Sequence, residues 1–261
     1  MRVYVINLAR SPERRAHMVR ELRKAGIEYE FVEGVEGRDL DLSDTSLVDP
    51  AWLGEGPFWS GVVGCYLSHL KVHKKMLEAD IQRALVLEDD VLLPDDMGAL
   101  IEVASTHMSG AEAVLLHHHR FGSAERGAAY RFLRRGSVQL PGSRVLAFPT
   151  DVGDLGATGA YLITRDACQR MAKMMLPVRA RVDDWAFFCN EGALDNVRCV
   201  VPTPVQINSR FRTTIEHYGP STLQTRLRNA VIRIPLLSQA LTIRRQRIMA
   251  RKTQVELVDD S

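Results

Sequence analysis

No run of this 261-residue chain reaches the roughly 18–20 consecutive apolar residues of a membrane helix, so no spanning helix is expected. Cysteine is scarce. Cys65, Cys168, Cys189 and Cys199 are scattered and form no C-x-x-C pair, which argues against a disulfide framework and against a cysteine-built zinc site. Reduced thiols of a cytosolic protein are expected instead. No charged leader precedes the opening "VYVINL", so no secretory signal is expected. No glycine-rich phosphate loop follows that first apolar run. Acidic residues are missing from His217 to Val255, a stretch that holds Arg226, Arg228, Arg233, Arg244, Arg245, Arg247, Arg251 and Lys252. The remainder carries 26 basic residues against all 32 acidic ones, so a net charge of +2 conceals an acidic body with a basic tail.

What is present reads as an α/β fold. "VYVINL" (3–8) suits a buried strand. Ser11 is placed to cap the following helix (12–25), with Pro12 in its first turn and Gly26 beyond its end. "YEFVEGV" (29–35) reads as a second strand, and strand–helix–strand within some thirty residues marks a mostly parallel sheet. Residues 36–60 read as loop, 61–79 as helix and "RALVLEDDV" as a strong strand. Asp95 and Asp96 favour the start of the next helix. "AEAVLLHHH" (111–119) reads as a strand, and a Gly- and Arg-rich loop is expected to about 144. "GATGAYLITRDACQRMAKMM" pairs a small-residue strand with a helix, and 197–208 closes the sheet.

"ALVLEDDV" drives an apolar strand into three adjacent carboxylates, Glu88, Asp89 and Asp90. Such neighbours raise one another's pKa unless a cation or hydrogen-bond donors neutralise them. In open α/β sheets ligands bind beyond the carboxyl ends of the strands. The tip after the first strand, Asn7-Leu8-Ala9-Arg10, falls on that same edge. Oxygen ligands at one tip suit Mg²⁺ or Mn²⁺. Arg10, Arg14 and a helix start at the other suit phosphate. A metal-bound diphosphate satisfies both tips.

These residues also carry a resemblance. "VYVINLARSPERR", "GVVGCYLSHLKVHKK" and "ALVLEDDV" resemble three successive signatures of glycosyltransferase family 25, the bacterial lipopolysaccharide and lipooligosaccharide sugar transferases related to collagen galactosyltransferases. "GATGAYLITRDA" is similar to that family's T-x-A-Y-x-I-S segment and "VDDWAFF" to its P-V-D-x-x-M-F. The resemblance implies a GT-A fold: a Rossmann-type, mostly parallel sheet flanked by helices. It implies metal-dependent transfer, with inversion, of a hexose such as galactose from a UDP-sugar, with Mn²⁺ or Mg²⁺. By the same resemblance Asn7, Leu8, Arg10 and Arg14 line the nucleotide site, and Ser68 and His69 face the sugar donor. Glu88 and Asp90 stand as the D-x-D pair, Asp90 as the direct metal ligand and Asp89 nearer the ribose or sugar. Asp183 is the expected base and Asp184 its alternative, with N-capping of a helix the competing use of either. Val182 follows Arg181 where the family often has proline.

His117-His118-His119 looks like a metal tract, but strand neighbours face opposite ways, so all three do not share one ion. His217 is a further metal candidate, and Trp52 and Trp59 could stack on a sugar or pack at the base of their loop. Residues 1–220 are expected to form the catalytic domain and 221–261 a helical tail, with Leu223, Leu227, Val231, Ile234, Leu237, Leu241 and Ile248 at roughly helical spacing. This basic amphipathic tail suits an anionic membrane surface. The expected location is therefore cytoplasmic, peripheral to the inner face of the bacterial inner membrane, with a lipid-linked saccharide acceptor. The tail has no interleaved aromatics for base stacking, so no nucleic acid is expected. Two alternatives are a Mg²⁺-dependent phosphoryl or nucleotidyl transferase and a non-catalytic scaffold.

Overall fold

In the computed structural model, which describes residues 1–56, 58–120, 130–211 and 255–259, the opening residues fold as a βαβ unit. Strand β1 (Arg2–Asn7) runs into helix α1 (Pro12–Lys24) and returns as β2 (Glu30–Glu33), parallel to β1. Ser11 stands at the N-cap position, but its side chain makes no capping bond. Asn7 instead donates to the Ser11 carbonyl at 3.2 Å, so the strand tip, not the cap residue, anchors the helix start. Gly26, at φ +64°, turns the chain out of α1, and the Ile27 N–H closes onto the Leu22 carbonyl.

Helix α2 (Phe58–Glu78) starts three residues before the apolar pattern predicts and packs on the turn at Gly37–Asp39. A Cβ on Gly64 would lie 2.8 Å from the Gly37 Cα, so the close approach requires glycine there. Next come β3 (Arg83–Glu88), β4 (Val91–Leu92), α3 (Met97–Thr106), β5 (Glu112–Leu115) and β6 (His119–Arg120). The strand expected over 111–119 is thus interrupted. The N–H groups of Leu116 and His117 both reach the Ala160 carbonyl, at 2.9 and 3.0 Å, two residues against one as in a β-bulge. Asp95 and Asp96 make ion pairs with Lys24 and Arg144 in place of side-chain caps on α3.

The stretch expected to be loop up to 144 contains β7 (Tyr130–Leu133), β8 (Val138–Leu140) and the start of β9 (Arg144–Ala147). Gly and Arg content hid three short strands, of which β8 and β9 pair with each other. After them run β10 (Leu155–Gly156), β11 (Ala160–Thr164), α4 (Arg165–Met174), α5 (Trp185–Asn190), β12 (Asn196–Val201), β13 (Gln206–Ile207) and β14 (Val255–Val258).

Eight strands form one mixed sheet in the order β2-β1-β3-β11-β5-β12-β9-β8. Six of the eight point the same way; β11 and β9 are reversed. β11 is buried along its whole length between β3 and β5. Apolar layers cover both faces, and β3 alternates between them. Ala84 and Val86 join Tyr66, Met76 and Met171 on the side of α2 and α4. Leu85 and Leu87 join Met18, Leu22 and Leu100 on the side of α1 and α3. Full burial of one such leucine is worth about 1.5–3 kcal/mol.

Residues 212–254, with His217 and the basic amphipathic stretch, lie outside the described residues. The end of the expected tail returns to the body: β14 pairs in parallel with β7, and Arg134 donates to Asp259 at 3.1 Å. Among the described residues no helix is long and apolar enough to cross a membrane.

Candidate active site at the carboxyl edge of the sheet

β1, β3 and β5 end on one edge, and the loop entering the reversed β11 reaches the same edge from the other direction. The three carboxylates at the tip of β3 then find different partners. Glu88 continues the face of Ala84 and Val86, toward α2, and its N–H donates to the Gly159 carbonyl at 2.9 Å. Asp89 turns to α1, where Asn7 Nδ2 donates to its Oδ2 at 2.7 Å and Arg14 pairs with its other oxygen. Asp90 Oδ2 accepts from Arg14 Nη2 at 3.0 Å. Its Oδ1 is buried and has no hydrogen-bond partner among the described residues.

The electrostatics follow from those partners. Burial and the charge of Glu88 push the Asp90 carboxyl up to about 7, with Arg14 opposing. Burial also raises Asp89, against Arg14 and Asn7. Burial alone would raise Glu88 as well, but the neighbouring His69 and the Thr158 hydroxyl, which donates to Oε1 at 2.6 Å, hold it below its ordinary value. A buried anionic cluster with one orphaned oxygen is the environment a hard divalent cation relieves. The residues present fit such an ion, with Asp90 Oδ1 as the open ligand.

Asp183 and Asp184 part company. Asp183 Oδ2 accepts the Ala157 N–H at 3.3 Å, and burial raises its carboxyl, aided by the charge of Glu88 and opposed by Ala157 and Arg181. Asp184 is exposed and caps α5, its Oδ1 accepting the Phe187 N–H at 3.0 Å. Trp185 Nε1 donates to the Ala157 carbonyl at 3.2 Å, fixing the segment that carries Asp183 against the β11 approach.

The other expected residues are dispersed. Arg10 pairs with Glu36, which also binds Arg38. Leu8 packs beside Gly34, where an added Cβ would meet its side chain at 3.2 Å. Ser68 accepts the Val35 N–H at 2.8 Å and donates to the Gly64 carbonyl at 2.7 Å, so its hydroxyl clamps the loop after β2. His69 reaches the site from α2: its Nε2 lies 3.6 Å from Glu88 Oε1, too far for a hydrogen bond. Backbone carbonyls hold two of the three histidines in the run. His117 Nδ1 lies 3.0 Å from the Val205 carbonyl, and His118 Nε2 lies 3.2 Å from the Val200 carbonyl and 3.0 Å from the Thr203 hydroxyl. Burial lowers both, His118 to about 4. Trp52 and Trp59 pack edge to face at 4.9 Å, and the Trp59 indole fills the space beside Gly54.

Sequence reasoning passed over Thr158, Cys65 and Tyr161. Tyr161 OH lies 2.9 Å from His69 Nδ1 and 3.2 Å from His73 Nε2. One signal was available: Cys65, His69 and His73 recur at i, i+4, i+8, a single face of α2.

A family description, "Glycosyltransferase family 25 (LPS biosynthesis protein)", matches residues 1–186. Procollagen galactosyltransferase 2 of Homo sapiens is 34% identical over 96 residues, 34% of this chain and 15% of that protein. A glycosyltransferase 25 family member of Aedes aegypti is 38% identical over 98 residues, 34% of this chain and 16% of that protein. "Inactive glycosyltransferase 25 family member 3" of Mus musculus is 34% identical over 107 residues, 38% of this chain and 18% of that protein. The chain thus matches less than a fifth of the length of these relatives. Among solved structures, a glycosyltransferase involved in glycosylation of the major capsid of PBCV-1 aligns over 76% of this chain and 82% of that one, with TM-score 0.34 and 8% identity. The family match spans more than half of the sequence, including both strand tips and Asp183, and on that ground the chain belongs to glycosyltransferase family 25.

Proposed function

We propose that this protein is a metal-dependent, inverting glycosyltransferase that moves a hexose, galactose, from a UDP-sugar to a lipopolysaccharide or lipooligosaccharide acceptor. Family membership supports sugar transfer, and the name of the human relative supports galactose. One observation carries the reading: the orphaned Asp90 Oδ1 in a buried carboxylate cluster, with Asp183 near enough for the charge of Glu88 to bear on it.

Asp90 and Glu88 would hold a divalent cation, which when bound would supply positive charge for the departing diphosphate. Arg14 and Asn7 hold Asp89 and Asp90 in place through charge-assisted and neutral hydrogen bonds, so the cluster is formed before the donor arrives. Asp183 takes the proton of the acceptor hydroxyl as that oxygen attacks the anomeric carbon and the nucleoside diphosphate leaves. A carboxylate raised by burial is suited to accept that proton near neutral pH. Nucleotidyl transfer through a nucleophilic carboxylate on the first strand tip finds no candidate at residues 7–10. The location proposed is the cytoplasmic face of the inner membrane, with residues 223–252 lying on anionic lipid and the acceptor lipid-linked.

A screen of nucleotide sugars for metal-dependent nucleoside diphosphate release, followed by anomeric analysis of the product, tests the reading. Release without metal, or a product of retained configuration, overturns it. The mouse relative named inactive motivates a second reading, a non-catalytic scaffold. Titration calorimetry with UDP and Mn²⁺ separates the two, because a scaffold gives no metal-dependent heat.

A further inference from the structure

Cys65 and His69 stand one turn apart on α2 and face Glu88 at the tip of β3; one ligand atom from each lies within 4.8 Å of the others. His69 is 1% exposed, and among the described residues its buried Nε2 makes no hydrogen bond, lying 3.6 Å from Glu88 Oε1. A buried ring nitrogen left unpaired is costly, and it is aimed at a thiol and a carboxylate. The far side of the ring is held. Tyr161 OH bridges His69 Nδ1 and His73 Nε2, and with Tyr161 accepting from His69 and donating to His73, His69 Nε2 is the nitrogen available to an ion between Cys65 and Glu88. An outer-sphere partner on the second ring nitrogen is the usual support for a metal-bound histidine.

We propose that Cys65, His69 and Glu88 form a site for a thiophilic divalent cation, Zn²⁺, distinct in ligand chemistry from the oxygen site at Asp90, and that its occupation inhibits the protein. Sulfur, nitrogen and oxygen from three residues, with water in the fourth position, make a tetrahedral zinc set. Mn²⁺ and Mg²⁺, which favour oxygen, are poorly served by it. Binding releases the Cys65 thiol proton to solvent, and the thiolate and the Glu88 carboxylate then balance the two positive charges of the ion. Glu88 is the shared residue: held on the α2 side by Zn²⁺, it is withdrawn from the cluster with Asp90. The C-x-x-C spacing absent from the sequence is replaced by one helix turn and a strand tip. The inhibition rests on the transferase reading, whereas the binding does not.

The test uses the full chain with Co²⁺ as a spectroscopic stand-in for Zn²⁺. A thiolate-to-Co²⁺ charge-transfer band in the near ultraviolet is expected at one equivalent, displaced by Zn²⁺ and absent in Cys65→Ser and His69→Gln. Tyr161→Phe, which removes the outer-sphere partner, is expected to weaken Zn²⁺ binding about 10- to 100-fold. Absence of the band in the unaltered protein, or its persistence in Cys65→Ser, overturns the site, and neither result bears on sugar transfer. In turnover assays with Mn²⁺, Zn²⁺ is expected to inhibit the unaltered protein and to spare Cys65→Ser. A band accompanied by equal inhibition of both proteins overturns the inhibitory role.

Discussion

Asp183 and Asp184, adjacent in the chain, face opposite ways: Asp183 accepts the Ala157 N–H at the carboxyl edge of the sheet, and Asp184 accepts the Phe187 N–H at the start of α5. Of the two uses weighed for each residue from the sequence, the capping falls to Asp184. Asp183→Asn is therefore expected to slow the chemical step by a factor on the order of 10²–10⁴. Asp184→Ala is expected to cost about 1 kcal/mol of stability through loss of the cap while turnover stays within a few-fold. Single-turnover kinetics and urea unfolding of both variants check this; a severe kinetic loss in Asp184→Ala reverses the assignment.

Asp90 has an ordinary carboxyl pKa of 3.8 and stands at about 7 in the folded protein. Between those values the metal-free fold holds a proton that the unfolded chain has released. This group's contribution is therefore complete below pH 4 and is lost as pH rises toward 7. Asp90→Asn removes the dependence, so in chelator its Tm should fall less than that of the unaltered protein from pH 4 to 8. Added Mn²⁺ should raise only the unaltered Tm, and Asp90→Asn should abolish metal-dependent transfer. Parallel Tm profiles with and without the substitution would refute the assignment.

Arg14 binds two buried carboxylates at once. Arg14→Ala leaves both without their cation, and a loss of about 3–5 kcal/mol is expected, the range for breaking a buried ion pair on one side. Chemical denaturation at pH 7.5 measures it. Mn²⁺ should recover part of the loss by supplying the missing positive charge.

The basic segment is best tested without deleting it, because truncation would also remove β14 from its pairing with β7. Replacing Arg244, Arg245, Arg247 and Arg251 by Gln should weaken binding to anionic vesicles by roughly 1 kcal/mol per residue removed. Hydrolysis of the nucleotide sugar should be unchanged. Equal vesicle binding by both proteins would remove the membrane role.

Local pattern was enough to read the βαβ start, the Gly26 turn and the carboxylates at the tip of β3, because each depends on residues within one or two elements. The period of apolar residues sets which face of β3 is covered. The basic, acid-free stretch was equally plain from composition. What decided the site was distance along the chain closed by folding. β11 inserts in reverse between β3 and β5 and delivers Thr158 to Glu88 across 70 positions and Tyr161 to His69 across 92. Asn7 and Arg14 meet Asp89 across 82 and 75 positions. Such contacts leave no local period, since they follow from strand order, and strand order is chosen by burial of whole faces. Residue type made Asp183 and Asp184 equivalent; only the fold, by leaving one partly buried and the other exposed, gave them different surroundings.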